Sequence, residues 1–153
     1  MSLKLALWSA AAGALIPVMA VLNGRLGRAV GEPMHAPVIL FVIGCLFCSV
    51  IALLTTGALP GLASATKANP IDLLGGFIVA FYVISATLIA PRFGVANFIL
   101  YAMVAQIVLS ALIDHFGFLG MPSRPINLWR LAGLGLLVTG LAMTQLVHAR
   151  SSS

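Results

Sequence analysis

Residues 106–122 read QIVLSALIDHFGFLGMP, and an acid beside a base, Asp114 and His115, interrupts that apolar run. Two chemistries are open to such a pair: proton handling inside a membrane segment, or a marker of the point where the segment meets water. Neighbouring side chains on a helix diverge by about 100 degrees, so spacing alone does not make the two a catalytic dyad. Upstream, Gln106, Ser110 and Asp114 stand at i, i+4 and i+8 and form one stripe with Ala102. A polar stripe at membrane depth faces a substrate pathway or a neighbouring helix rather than lipid. Tyr82 and Ser85 are further amphipathic groups within a span, and Tyr82 is too central there for an interfacial anchor, so it is a candidate for a cavity wall. Trp8, close to its helix start, suits an anchor. Asn23 follows the first apolar run, where it caps the helix end or coordinates a substrate.

Two arginines recur in related strings, Arg25 in RLGRA and Arg92 in RFGVA. They form a cationic vestibule for an anionic ligand, or they snorkel at helix ends. Cys45 and Cys48 lie at i and i+3, but two thiols with no His or second Cys pair make a poor zinc site, so they read as buried apolar packing and no metal is expected. The only acids are Glu32, Asp72 and Asp114, all in loops or at helix ends. The chain therefore lacks the mid-membrane carboxylate on which small multidrug exporters exchange a cation for protons. No nucleophile–base pair or metal set lies at membrane depth, so the expectation is no enzyme and no cofactor.

The elements that must position these residues follow from composition. The chain of 153 residues is 61% hydrophobic and only 7% charged, against roughly 25% charged in an ordinary soluble domain. Mean hydropathy is +1.15. Too little polar surface exists to cover a folded unit in water, whereas a lipid-facing exterior needs none. The net charge of +5 comes from basic residues scattered singly, which gives nucleic-acid binding no support.

Apolar runs of about 20 residues suffice to cross a bilayer. Five such runs stand at about 3–22, 36–56, 73–90, 95–113 and 128–147, in one transmembrane domain over 1–150 with a tail at 151–153. The connections at 23–33, 56–70 and 114–127 gather Gly, Pro and most ionisable groups, and PRFG (91–94) predicts a tight reversal. Small residues at three- or four-residue spacing in the first and fifth spans let helices approach closely.

An odd number of spans puts the termini on opposite faces. Lys4, Lys67, Arg124 and Arg130 then share one face, and Arg25, Arg28, Arg92 and Arg150 share the other. With no Lys/Arg bias for the insertion machinery to read, the expected form is dual topology, working as an antiparallel homodimer or beside a homologous sister subunit. A carboxylate at a helix C-terminus opposes the macrodipole, so Asp114 is expected to pair with Arg124 or Arg130, as a gate or a structural ion pair.

The strings VLNGRLGRAVG (21–31), LIAPRFGVANF (88–98), LIDHFGFLGMPSRPINLWRLAG (112–133) and LGLLVTGLA (134–142) resemble the YdcZ-type inner-membrane exporters of the drug/metabolite transporter superfamily. The resemblance implies an all-α membrane protein of the bacterial inner membrane, a five-helix half of a ten-helix inverted-repeat transporter. Function then reads as export of an unknown small molecule by alternating access; an accessory subunit of a larger membrane complex is the alternative.

Overall fold

The computed structural model describes residues 3–61 and 66–151, with side chains through 145. Five long helices appear in order: α1 (Leu3–Ala29), α2 (His35–Thr56), α3 (Leu74–Phe93), α4 (Val95–Phe116) and α5 (Leu128–Ser151), with a short 3-10 turn at Phe118–Gly120. The first four are long and apolar enough to cross a membrane. Of the tail expected at 151–153, Ser151 closes α5 and the rest lies outside the described residues, as does the side chain of Arg150 counted in the charge balance.

In hydrocarbon no water competes for backbone N–H and C=O groups, so each apolar run must satisfy them internally as helix, whatever its β-branched content. The helices accordingly outrun the hydrophobic stretches. Residues 23–29, expected as loop, form the last two turns of α1, because Arg and Leu are good helix formers and the interspersed glycines face close neighbours. The chain turns at Gly31, with φ of +82°. Likewise α4 runs three residues past Ile113 to Phe116. PRFG is not a loop: Pro91 to Phe93 are helical, and only Gly94, with φ 92° and ψ 133°, lies between α3 and α4. That combination belongs to a region open to glycine almost alone. Pro17 sits inside α1, where it has no N–H to donate to the carbonyl four residues earlier.

The chain forms two compact units, Met1–Val95 and Ala96–Ser153. In the first, α1 packs chiefly on α3, and α2 contacts both. Its core is made of small groups: Ala20, Ala36, Val83, Ala86 and Ala90 are buried, with Asn23 and Thr87 among them. Gly24 and Gly27 set the approach. A Cβ on Gly27 would lie 3.0 Å from the Pro33 Cα, and one on Gly24 would meet Pro91 Cγ at 3.4 Å. Such small-residue contacts replace hydrophobic burial as the source of helix association in lipid. Cys45 and Cys48, expected to be buried, are exposed on α2, since α2 presents almost all of its span outward.

The second unit is fastened at one end by loop hydrogen bonds and along its length by a side-chain contact. Asn127 caps α5, its Oδ1 accepting the Arg130 N–H at 2.8 Å, as an N-cap side chain does for an orphan donor. Gln145 Nε2 donates to Asn97 Oδ1 at 3.3 Å across the two helices.

Candidate functional site

In the first unit the polar centre is Asn23. It lies inside α1 rather than beyond its end, and it is 4% exposed. Its Nδ2 donates to Thr87 Oγ1 at 2.5 Å, and the Thr87 hydroxyl donates to the Val83 carbonyl at 2.8 Å. With the hydroxyl proton spent on Val83, Thr87 can only accept, so the amide must present its nitrogen there. Asn23 Oδ1 is consequently buried with no partner among the described residues. Burying an amide oxygen unpaired costs about 1–3 kcal/mol, so the cap role open to Asn23 in the sequence is replaced by a tie between two helices with one acceptor left over.

An open groove of about 370 Å³ lies against α1 and α2, walled by aliphatic and Met side chains from Leu15 to Ile43 that are mostly exposed, and Asn23 is its one polar lining residue among those described. A smaller cavity of about 150 Å³ near the C-terminal ends of α1 and α3 is lined by Gly24, Thr87, Pro91 and two arginines, Arg28 and Arg92. Arg25 does not line it: the structure brings Arg92 together with Arg28, one helical turn further along, and leaves Arg25 exposed. Tyr82 and Ser85 are half-buried on α3 and line neither the groove nor this cavity.

In the second unit, the α4 stripe divides. Gln106 is exposed and carries no hydrogen bond among the described residues. Ser110 is exposed too, but its hydroxyl donates to the Ile107 carbonyl at 2.9 Å. Asp114 is joined to Arg130, with Nη2 to Oδ2 at 2.6 Å and side chains 32% and 37% exposed respectively. Arg124 contributes its backbone, the N–H donating to the Asp114 carbonyl at 2.6 Å. His115 is held beside it: Nδ1 accepts the Ile126 N–H at 3.0 Å, and its carbonyl accepts the Ser123 hydroxyl at 2.9 Å. The acceptor role of Nδ1 puts any ring proton on Nε2. Asp114 and His115 thus serve one structural purpose through different atoms, clasping the 117–127 loop back onto the end of α4. A third cavity, about 620 Å³, runs between α4 and α5 and is apolar apart from Thr139, whose hydroxyl is spent on the Gly135 carbonyl.

Sequence reasoning missed Thr87, whose partner is 64 residues away; no local spacing links the two. It also passed over Arg28 as a site residue, although i, i+4 from Gly24 to Arg28 was there to be read.

Among the described residues no group of three or more His, Cys, Asp or Glu side chains could hold a metal ion. The arrangement offers hydrogen-bonding and apolar surfaces within helices long enough to cross a membrane and cations at helix ends. No curated protein and no solved structure matches the chain. A family described as "Putative inner membrane exporter, YdcZ" matches residues 5–143. Nearly the whole helical domain is spanned by that match, and with four helices fit to cross a bilayer, the chain belongs to the YdcZ family of the inner membrane.

Proposed function

We propose that the chain is a small secondary transporter exporting a small metabolite or drug-like molecule by alternating access, as an antiparallel dual-topology pair. The observation that carries this reading is Gln106, an amide near the middle of α4 that is exposed and unpaired among the described residues. In lipid such a group is costly, and polar residues within spans face bundle interiors or water-filled paths. A second subunit covers it, and the path forms between the subunits. The even division of the eight Lys and Arg residues between the two faces supports inverted pairing, and inverted repeats with a site near the midplane are a recurrent transporter design.

In this reading all five helices span, and Gln106, Ser110, Tyr82, Ser85 and Asn23 belong to the pathway. The Asp114–Arg130 pair closes it from the water side, with Arg124 holding the same loop. In an antiparallel pair the two copies of Asp114 occupy opposite membrane faces, so they act as symmetry-related gates. Arg92 and Arg28 form the vestibule, with Arg25 exposed on the same end of α1. The partner is a second copy or a homologous sister subunit.

C-terminal reporters active on only one side of the membrane test the topology, and flux into liposomes tests transport. Reporters active on both sides and flux abolished by Gln106→Leu are the expected results. A single orientation with no partner inserted the other way ends the antiparallel reading. Stoichiometric capture of an unrelated membrane complex from native membranes, with no self-pair, favours an accessory subunit instead.

A further inference from the structure

We propose that the groove between α1 and α2 binds a neutral, largely apolar small molecule through one hydroxyl or N–H group that donates to Asn23 Oδ1; the inference deepens the transport reading and rests on it for its purpose. Three observations converge. The oxygen is buried and unpaired, and its orientation is fixed because Thr87 accepts from the amide nitrogen while donating to Val83. Asn23 is the single polar residue in a wall otherwise made of Leu15, Val18, Met19, Leu22 and their aliphatic neighbours. The volume, about 370 Å³, falls in the range of small-molecule sites, which pair a mostly apolar lining with a few placed polar groups.

The same wall sets the ligand's charge. Among the described residues none that lines the groove is ionisable, and an ion held in apolar surroundings without a partner carries a desolvation penalty that nothing described there offsets. Organic cations and carboxylates are disfavoured; alcohols, phenols, indoles and amides fit. A lipid acyl chain fills the space but leaves the oxygen unpaired. Because the oxygen is buried, a ligand donor pairs with it only by displacing the side chains that cover it.

Naphthol and its methyl ether share a ring system but only the first carries a donor. Equilibrium binding of each to the full chain in nanodiscs, with empty nanodiscs subtracting membrane partition, reads the hydrogen bond directly. Naphthol is expected to bind about five- to tenfold more tightly than the ether, the worth of one hydrogen bond. That preference should vanish in Asn23→Leu and weaken in Thr87→Val, which removes the acceptor that fixes the amide. Leu40→Trp, which fills the groove and keeps the Asn23–Thr87 tie, should weaken both probes and stands in if Asn23→Leu does not fold. Equal binding of the two probes, or a preference surviving in Asn23→Leu, overturns the proposal and leaves an apolar crevice occupied by lipid. The readout is independent of transport: donor preference without flux refutes the transport reading alone, and flux without donor preference refutes the site alone.

Discussion

In the double variant Asp114→Arg/Arg130→Asp, the carboxylate moves from the last turn of α4 to the first turn of α5, and the guanidinium makes the opposite move. The helix macrodipole favours anions near N-termini and cations near C-termini. The natural pair has both the other way round: Asp114 stands two residues before the end of α4 at Phe116, and Arg130 is the third residue of α5. Each misplacement costs roughly 0.3–1 kcal/mol, and exchange converts each penalty into a gain of similar size. Both side chains are about one-third exposed, so solvent screening argues for the lower half of that range. The exchange should therefore stabilise by about 1.2–2.6 kcal/mol, with the ion pair itself, worth about 0.2–1 kcal/mol when exposed, retained. Singly, Asp114→Asn and Arg130→Gln each lose the pair and relieve one dipole penalty, so each should fall within about 0.5 kcal/mol of the natural chain. Thermal unfolding in detergent, following helix content, orders the four proteins. An exchanged variant melting below both single variants would falsify the assignment of dipole energetics to this pair. A contact arranged against its helices yields stability, and sites that must open for function are where such losses collect. Flux through the exchanged variant is accordingly expected to fall although the fold is firmer.

Other expectations concern packing and hydrogen bonding. Gly27→Ala sets a Cβ against the Pro33 backbone at 3.0 Å and should cost about 1–3 kcal/mol by overpacking, whereas Gly13→Ala, with nothing within 4 Å, should be neutral or stabilising by up to about 1 kcal/mol; paired melting curves separate them. Thr87→Val strands the Asn23 amide nitrogen in the core and should destabilise by about 1–3 kcal/mol in the same assay. Asn127→Ala removes the cap on Arg130 N–H, with a loss of about 1 kcal/mol and faster hydrogen exchange confined to the first turn of α5.

Helices were legible wherever an apolar run was long enough to demand internal hydrogen bonding, which is why all five appear near their expected positions. Their ends were less so. Hydropathy locates where lipid stops, and the helix continues past that point as long as backbone geometry and neighbours permit, as in NGRLGRA. Gly94 shows the reverse: a Pro and an Arg in sequence suggested a loop, but Pro91 follows a helix already formed and one glycine suffices for the break. At the site, the Asp114 clasp could be reasoned from helix electrostatics, because the dipole acts locally. The Asn23–Thr87 tie could not, since it depends on which faces of α1 and α3 meet, and small-residue packing leaves several registers equally plausible to a reader of the string alone. Exposure of Cys45 and Cys48 was missed for a related reason: in a membrane chain an apolar side chain needs lipid rather than a core.

The added length of α1 bears on which bilayer suits the protein. At 1.5 Å per residue, the 27 residues of α1 extend about 40 Å and the 20 of α3 about 30 Å. The hydrocarbon core of a typical bilayer is about 30 Å thick, so α3 matches it while α1 overhangs by two turns bearing Arg25 and Arg28. Thickening the membrane draws those cations toward hydrocarbon, and thinning it mismatches both helices, since the apolar run of α1 at about 3–22 is as long as α3. Hydrophobic mismatch costs fractions of a kcal/mol per Å, so with the two helices tied at Asn23 and Thr87 a change of bilayer thickness bears on both together.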